Sequence, residues 1–380
     1  MSEVYFTDFR CERPNTMFKK LEKLIDTAGL GAIDFEDKFV AVKIHFGEYG
    51  CVSHVRHQYA KIVCDYIKER GGKPFLTDAN TLYVGYRNNA LGHLDCAYLN
   101  GFSPLQTGVQ TIIADGLRGT DEREIKVEGA KHCKTAKIGS AVAEADIIVS
   151  ITHTKGHQNA GYGGTFKNIG MGCGSKHGKM EMHSSSTPAI DKDICVGCGM
   201  CVEHCSNDGV NVVDGKAIID EDKCLGCGNC FAYCPKGAIN CKWDEARTVI
   251  NEKIAEYTKA VLDGKPSFHI NFAQHVCKHC DCTSTTDTAM IPDIGIFASF
   301  DPVALDQACL DKIFAQPLIV NSPAGEAAIE NGEEPVSGFV QAGDGHDIFT
   351  MVHPDTHWEA GLEHAVKLEM GSREYKLVTI

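Results

Sequence analysis

The chain has 380 residues, of which 43% are hydrophobic, and its formal net charge is −14. This length supports two or three domains with sizeable cores. The acidic balance argues against an electrostatic grip on nucleic acid, so we expect no nucleic-acid binding. The N-terminus has no signal-peptide pattern, and no apolar stretch approaches the length of a membrane span. We therefore expect a cytoplasmic protein that does not bind a membrane.

The first half of the chain alternates short apolar strands with helices. Residues 39–47 and 73–80 predict two strands with an amphipathic helix between them. This alternation predicts an α/β fold of mostly parallel sheets covered by helices. Ligands of such sheets bind at the carboxyl ends of the strands, which is where Lys43, Asp78 and Lys155 stand.

The pattern changes after a serine-rich stretch at 183–188 and returns to strands and helices after Trp243. One of the later helices is predicted to begin at Pro302 with Asp301 as its N-cap. We therefore predict a body interrupted by an insert, with these domain boundaries: the N-terminal part of the α/β body at 1–187, the inserted domain at 188–242, and the C-terminal part of the body at 243–380.

Nineteen cysteines are an unusually high number for a chain without a signal peptide, and this favours metal ligation over disulfides. Two runs share the spacing C-x2-C-x2-C-x3-C, which is the spacing of bacterial ferredoxins that bind two 4Fe-4S clusters. In those proteins the fourth cysteine of each run ligates the other cluster. The first predicted ligand set is Cys195, Cys198, Cys201 and Cys234, and the second is Cys224, Cys227, Cys230 and Cys205.

The insert is therefore predicted to be an α+β ferredoxin-like domain that transfers single electrons at low potential. The alternative is a pair of zinc knuckles. Zinc sites, however, usually combine two C-x-x-C halves across longer spacers than these.

The stretch 157–174, "HQNAGYGGTFKNIGMGCG", has neither the Walker register nor the dinucleotide fingerprint, and no apolar helical stripe begins within ten residues of Lys167. Its glycines allow backbone amides to approach a cofactor, so Gly163 and Gly164 are predicted to bind one. Histidines and lysines gather here and at strand ends, where they can bind metals, move protons or hold anions. The predicted catalytic residues are Lys43, His45, Lys155, His157, Lys167 and His183.

A third group of cysteines lies in "HVCKHCDC", which contains Cys277, Cys280 and Cys282. These thiols either ligate a third metal centre or form a thiol redox pair, with Cys173 as a further candidate. The alternative is that they are neighbouring thiols in a loop without a function.

Long segments such as "GGTFKNIGMGCGSKHGKMEMH" and "PDIGIFASFDPVALDQA" resemble the domain-of-unknown-function 362 family, in its subgroup with an inserted ferredoxin domain. The resemblance covers nearly the whole chain but implies no activity. A shorter segment is similar to the lactate racemase family. That resemblance implies that Lys167 anchors a nickel-pincer nucleotide and that His157 and His183 bind nickel or move a proton. The residues after Lys167, "NIGMG", depart from that family's pattern.

Three functions fit these patterns. The first is an iron-sulfur oxidoreductase, in which two clusters pass electrons from a redox partner such as a ferredoxin to the lysine- and histidine-rich pocket. A small anionic substrate or a further metal centre is reduced there. The second is a non-redox metal-dependent racemase or isomerase. The third is an electron carrier or a partner in metallocofactor maturation.

Overall fold

A computed structural model describes residues 1–83, 85–184, 187–205, 207–224, 228–242, 245–341 and 345–380. The strands are β1 (Ser2–Asp8), β2 (Phe39–Ile44), β3 (Lys73–Asp78), β4 (Thr111–Ile113), β5 (Glu122–Lys126), β6 (Thr135–Gly139), β7 (Ile147–His153), β8 (Lys155–His157), β9 (Gly161–Gly163), β10 (Ala189–Ile190), β11 (Val210–Val213), β12 (Lys216–Ile219), β13 (Ile239–Asn240), β14 (Ser267–Ala273), β15 (Gly295–Ser299), β16 (Leu318–Ile319), β17 (Phe339–Val340) and β18 (Tyr375–Thr379).

The helices are α1 (Met17–Thr27), α2 (His57–Lys68), α3 (Ala90–Leu99), α4 (Pro104–Thr107), α5 (Ser140–Glu144), α6 (Lys176–His183), α7 (Met200–Glu203), α8 (Asn229–Tyr233), α9 (Arg247–Leu262), α10 (Pro302–Phe314), α11 (Pro323–Glu330), α12 (Ile348–Val352) and α13 (Glu359–Lys367). Three further segments form short 3-10 or π-helical turns: Leu30–Ala32, Tyr86–Asn88 and Lys167–Met171.

The centre of the fold is an eight-stranded sheet in the order β18-β1-β15-β14-β7-β2-β3-β4. The strands from β14 to β4 are parallel to one another, and β15 runs antiparallel to both of its neighbours. Crossover connections between parallel strands require helices on the faces of the sheet. The predicted fold class, an α/β fold with a mostly parallel sheet covered by helices, is therefore confirmed.

Both faces of this sheet are buried, which explains why its strands read as nearly continuous apolar runs. Along β2, Val40 and Val42 pack into a core that includes α1 and α2, whereas Ala41 packs into the core on the opposite face, which includes α9 and α10. Side chains alternate between the faces because successive residues of a strand point in opposite directions. The two layers of helices hold the strand ends in place.

The helix predicted at Pro302 forms as α10 and is capped as expected. The Asp301 carboxylate accepts hydrogen bonds from the backbone N–H groups of Val303 and Ala304, at 2.9 Å each. Such caps satisfy amides that have no partner within the helix and contribute about 1 kcal/mol.

The segment with the two cysteine runs forms a small unit beside the main sheet. Its ends meet, because β10 and β13 pair in antiparallel fashion. Between them lie the hairpin of β11 and β12 and the short helices α7 and α8. Across the described ranges of the chain, none of the helices combines the length and the apolar character that crossing a membrane requires.

Candidate active site

A cavity of about 100 Å³ lies at the carboxyl ends of β2, β3 and β7. Residues of the loop after β3, the segment that follows β7, the π-helical turn and α6 also line it. The six residues predicted to be catalytic are all among its lining residues: Lys43, His45, Lys155, His157, Lys167 and His183. The structure therefore brings these six side chains together, while their catalytic roles remain predictions.

Lys43 and Asp78 form a buried ion pair in the wall of the cavity. The Lys43 ammonium lies 3.0 Å from Oδ1 of Asp78 and donates to Oδ1 of Asn168 at 2.8 Å. Burial raises the pKa of Asp78, but Lys43, His93 and Arg87 outweigh that effect and hold the pKa below its ordinary value. The carboxylate is therefore charged, and it neutralises the lysine.

Arg87 extends this network from the loop after β3 and is 1% exposed. Its Nε lies 3.2 Å from Oε2 of Glu48, and one terminal nitrogen lies 3.4 Å from Oδ2 of Asp78. The other terminal nitrogen donates to the hydroxyl of Tyr83. A buried guanidinium needs such partners, because an unpaired buried charge costs several kcal/mol. Arg87 thus ties the ends of two neighbouring strands together.

His45 and His157 have the same hydrogen-bonding arrangement. Nδ1 of His45 accepts from the amide of Gly47 at 3.0 Å. Nδ1 of His157 accepts from the amides of Asn159 and Ala160 at 3.1 and 3.0 Å. Burial lowers the pKa of both rings well below the ordinary value, so both are neutral. A neutral imidazole carries one N–H, and since Nδ1 accepts in both rings, Nε2 carries the hydrogen.

Helix α6 contributes Lys179 and His183 to the cavity. Burial lowers the pKa of Lys179 to about 8 and the pKa of His183 to about 3. His183 is therefore neutral near pH 7, whereas Lys179 is close to its titration point. Lys43 and Lys155 each have a carboxylate partner, but Lys179 is in no ion pair within the portion of the chain that the structure describes. It is the lysine best placed to respond to an anion.

Asp281 holds the loop after β14 against the cavity and is fully buried. Its carboxylate lies 2.9 Å from Nδ1 of His153 and 3.2 Å from the ammonium of Lys155, and it accepts from the hydroxyl of Ser53 at 3.2 Å. Burial raises the pKa of Asp281, but His153 and Lys155 outweigh that effect, and the pKa lies well below its ordinary value. The charged carboxylate therefore fixes the positions of Cys280 and Cys282, which flank Asp281 in the chain.

Lys167, from the π-helical turn, reaches that loop and contacts a sulfur. Its ammonium lies 3.0 Å from Sγ of Cys280, which also accepts from the backbone N–H of Cys282 at 3.4 Å. Burial raises the pKa of Cys280, but a hydrogen bond from Cys282 and the charge of Lys167 outweigh that effect and lower it well below the ordinary value. The hydrogen bond to Cys280 raises the pKa of Cys282. The pair therefore holds one thiolate and one thiol.

His157, Cys280 and Cys282 each place a possible ligand atom within 4.8 Å of the others. Three such atoms are close enough to hold one metal ion. Cys282 lines the cavity, whereas Cys280 is 1% exposed and lies behind it.

The other residues predicted for this site lie elsewhere. Gly163 and Gly164 are not among the residues that line the cavity, and a side chain at Gly164 would come within 2.4 Å of Tyr162. Gly164 thus permits a close packing contact. Cys173 lies in the hydrophobic core with α9 and α10, where burial raises the pKa of its thiol to about 11. Burial likewise raises the pKa of Cys277 to about 12.

The first predicted cluster set converges in the structure. Cys195, Cys198, Cys201 and Cys234 line one small space between α7 and the end of α8. The backbone N–H of Ala217 donates to Sγ of Cys195 at 3.3 Å. Cys234 comes from the second run and joins three cysteines of the first, as the crossed pattern predicts.

The second predicted set includes Cys227, which lies outside the described residues. Two of its other members, Cys205 and Cys224, meet around Gly209. The N–H of Gly209 donates to Sγ of Cys205 at 3.2 Å, and the Cβ position of Gly209 lies 3.2 Å from the Cα of Cys224. Cys230 lies in α8 and is buried.

The small unit touches the wall of the cavity through α8. Phe231 packs against a buried group formed by Leu82, Met180 and Cys241, and Leu82 lines the cavity. A side chain built at Gly228 would meet Met180 at 3.5 Å. Cys230, of the second predicted set, is therefore the chain neighbour of a residue that packs against the cavity wall.

Comparison with protein families identifies the chain. The sequence pattern of a domain of unknown function, DUF362, matches residues 40–311. The chain belongs to the DUF362 family. The matched range contains every residue that lines the cavity and both cysteine runs. The family membership expected from the sequence is confirmed.

Two solved structures are similar to this DUF362 chain. The lactate racemase apoprotein from Thermoanaerobacterium thermosaccharolyticum is 12% identical, with a TM-score of 0.40 over 100% of this chain and 83% of that chain. A structural-genomics protein from Thermotoga maritima is 16% identical, with a TM-score of 0.36 over 77% of this chain and 57% of that chain. No curated protein sequence matches the chain significantly.

Three residues that organise the site of this DUF362 protein were not predicted from its sequence. Arg87 and Glu48 gave no signal, because a lone charged residue in a loop is usually solvated. Asp281 stands between Cys280 and Cys282, and the flanking cysteines were the only indication of its position. An acidic residue between two cysteines is a weak signal that became interpretable only once His153 and Lys155 were located beside it.

Proposed function

We infer that this DUF362 protein is an iron-sulfur oxidoreductase that brings single electrons to the cavity described above. The observation that carries this proposal is the convergence of Cys195, Cys198, Cys201 and Cys234 on one space. Two independent zinc knuckles would each close within their own run, whereas crossed ligation belongs to the two-cluster ferredoxin pattern. The arrangement therefore favours two 4Fe-4S clusters over two zinc ions.

The surroundings of the cysteine sulfurs suit cluster ligation. Backbone N–H groups donate to Sγ of Cys195, Cys205 and Cys234 at 3.2 to 3.3 Å. The amides of Ala217 and Gly197 lower the pKa of Cys195. Cysteines ligate iron as thiolates, and hydrogen bonds to the sulfurs help to set the reduction potential. Bound clusters would supply one-electron transfer, and these amides would stabilise the thiolates that hold them.

The two ends of the electron path differ in exposure. Cys198 of the first set is exposed, and Cys230 of the second set is buried next to Phe231, which packs towards the cavity wall. We therefore propose that electrons enter the protein at the cluster of the first set and leave for the cavity from the cluster of the second set. A soluble one-electron carrier such as a ferredoxin is the partner that this order requires, because the chain shows no fingerprint for a nicotinamide or flavin.

The cavity suits a small anionic substrate. His45 and His157 offer neutral N–H donors at Nε2, which cost less to bury than charged groups. Lys179 adds a cation that has no carboxylate partner in the described ranges of the chain. Such groups stabilise negative charge that develops as an electron arrives. The volume of about 100 Å³ suits a small molecule, on the order of ten non-hydrogen atoms.

The decisive experiment is elemental analysis of anaerobically purified protein, combined with paramagnetic resonance after reduction. About eight iron and eight sulfide ions per chain are expected, with signals of two interacting reduced clusters. Zinc without iron and without acid-labile sulfide would overturn the proposal. The same measurement detects nickel.

A non-redox racemase is the second candidate, because His157, Lys167 and His183 line one cavity. This function requires Lys167 to be available to a cofactor, whereas its ammonium already contacts the Cys280 sulfur. Stoichiometric nickel, together with exchange of a substrate C–H hydrogen with solvent in the absence of an electron donor, would favour it.

A further inference from the structure

We propose that Cys280 and Cys282 are a dithiol-disulfide couple that exchanges two electrons with a small disulfide bound in the cavity. This couple is a site separate from the eight cluster cysteines. The inference rests on the proposed function only for the source of the electrons that reduce the internal disulfide back to the dithiol.

The two thiols have the spacing and the neighbours that a redox pair needs. Their sulfurs lie within 4.8 Å of each other, and the residue between them in the loop, Asp281, forms ion pairs with His153 and Lys155. A disulfide bond is about 2.05 Å long, so rotation of the two side chains must close the remaining distance. The Asp281 carboxylate contacts His153 and Lys155, whereas the Cys280 sulfur contacts the ammonium of Lys167.

The two sulfurs have different roles. Cys282 lines the cavity and can reach a ligand there, whereas Cys280 lies behind it. The Lys167 ammonium, 3.0 Å from Sγ of Cys280, stabilises a thiolate at that position. A thiolate next to a thiol acts as its base, and thiolates rather than thiols attack disulfides. Because only Cys282 of the two lines the cavity, Cys282 is the attacking group once its proton has moved to Cys280, and Cys280 is the resolving group.

A metal centre at this place is the competing explanation, with His157 as the third ligand. The hydrogen bonds of His157 oppose it. The lone pair of Nδ1 accepts from two backbone amides, and Nε2 carries the hydrogen, so the ring has no free lone pair for a metal. A metal bound to Sγ of Cys280 would also lie within about 5 Å of the Lys167 ammonium, which repels it. The arrangement suits thiolate chemistry and disfavours a cation.

The reaction balances in two half-steps. Cys280 takes the proton of Cys282, whose thiolate attacks one sulfur of a small disulfide and releases the first thiolate product. The first product thiolate then takes the proton from Cys280 and leaves as a thiol. The Cys280 thiolate attacks Sγ of Cys282, releases the second product as a thiolate and leaves an internal disulfide. In sum, one thiol, one thiolate and the substrate disulfide give the internal disulfide, one product thiol and one product thiolate. Two electrons from the clusters, delivered singly, and one proton then restore the thiol and the thiolate.

The test uses the anaerobic holoprotein and bis(2-hydroxyethyl) disulfide as the probe. After exposure to the probe, free thiols are alkylated, and the peptide with Cys280 and Cys282 is analysed by mass spectrometry. The expected result is an internal Cys280–Cys282 disulfide in most molecules, and its loss when dithionite with a viologen mediator reduces the clusters. The variant Cys282→Ser should form no internal disulfide, and Cys280→Ser should accumulate the mixed disulfide at Cys282.

The matched control is Cys277→Ser, which removes a neighbouring buried thiol of the same loop and should leave the couple intact. The inference would be overturned if both thiols of the wild-type protein were still alkylated after treatment with the probe. It would also be overturned if the wild type held a stoichiometric metal ion, beyond the cluster iron, that Cys282→Ser lacks. Iron and sulfide are measured in the same samples. If the protein contains no clusters but still forms the internal disulfide, the proposed electron transfer fails while the dithiol-disulfide couple stands.

Discussion

The ammonium of Lys167 lies 3.0 Å from Sγ of Cys280, a residue 113 positions away in the chain. This contact joins the π-helical turn after β9 to the loop after β14, two irregular segments that meet at the carboxyl ends of the parallel strands. It pairs a buried cation with a thiolate, so each charge offsets the desolvation of the other. The contact also decides which cysteine of the pair is ionised.

Replacing Lys167 with alanine should return the pKa of Cys280 towards the ordinary value for a thiol. In the wild type the pKa is lowered, so the thiolate persists as the pH falls through neutrality. In Lys167→Ala the alkylation rate of the Cys280–Cys282 peptide by iodoacetamide at pH 7 should fall by up to about tenfold for each unit by which the new pKa exceeds 7. Alkylation followed by mass spectrometry from pH 5 to about pH 9 measures the shift.

The stability effect has a defined sign. A thiol with a lowered pKa stabilises the fold fully above its unfolded pKa of about 8.5, and that stability is lost as the pH falls through the folded value. Lys167→Ala should remove this dependence. Lys367→Ala, at an exposed position in α13, is the control and should change neither the alkylation profile nor the cluster absorbance. An unchanged alkylation profile in Lys167→Ala would contradict the assignment of the thiolate.

The strand ends of the site were predictable from the sequence, and the loops were not. Lys43, Asp78 and Lys155 end or follow buried apolar runs, and the carboxyl ends of neighbouring parallel strands necessarily meet. Asp281 follows β14 by eight residues in an irregular segment, and no periodicity indicates where such a segment folds back. Helix α6 was missed because it is buried on nearly all sides and so lacks an apolar stripe.

The glycine-rich stretch shows the same limit. Its composition indicated a backbone that approaches a ligand. In the structure Gly172 lines the cavity, and a Cβ there would lie 2.6 Å from Nζ of Lys43. The glycine therefore makes room for the buried ion pair of Lys43 and Asp78, a requirement that depends on a strand more than 120 residues away and that local sequence cannot reveal.

Replacing Asp281 with asparagine should destabilise the protein strongly. The substitution keeps the shape but leaves the Lys155 ammonium buried without its carboxylate, and breaking a buried pair in this way costs about 3 to 5 kcal/mol. Urea unfolding of wild type and variant measures the loss. Asp263→Asn removes an exposed carboxylate that pairs with Lys259 of α9; it is the control and should cost less than about 1 kcal/mol.

The pH dependence of this pair also has a definite direction. Because the pKa of Asp281 is lowered, its stabilisation is complete above about pH 4 and is lost as the pH falls through the folded value. The difference in unfolding free energy between wild type and Asp281→Asn should therefore shrink only in strong acid. Equal stabilities at pH 7 would contradict the role assigned to Asp281.

Replacing Cys234 with serine should disrupt the cluster predicted for Cys195, Cys198 and Cys201, although Cys234 belongs to the other run. The iron content should fall by about half, and the resonance signals should change from two interacting clusters to one isolated cluster. Cys205→Ser should remove the other cluster instead. Cys64→Ser, at a buried position in α2 far from either run in the sequence, is the control and should retain all the iron. A full iron content in Cys234→Ser would exclude the crossed arrangement.

Lys179 should make anion binding in the cavity depend on pH. Lys179 lines the cavity, and its ammonium donates to the backbone carbonyl of Gly174. Burial lowers its pKa to about 8, so the ammonium loses its proton between about pH 7 and pH 9. Sulfate is a suitable probe because it does not titrate in this range. Its dissociation constant in the wild type should rise as the pH increases through about 8, by up to about tenfold per pH unit once the lysine is mostly neutral.

Two variants separate the charge of Lys179 from its shape. Lys179→Arg keeps a cation that does not titrate below about pH 12, so sulfate binding should become independent of pH. Lys179→Met removes the charge and should bind sulfate weakly at every pH, whereas Lys367→Met, on the exposed surface of α13, should behave like the wild type. Isothermal titration calorimetry at matched ionic strength measures all four proteins. Sulfate affinity of the wild type that stays constant from pH 7 to about pH 9 would show that Lys179 does not contact the anion, because a group that titrates next to a bound charge must change its affinity.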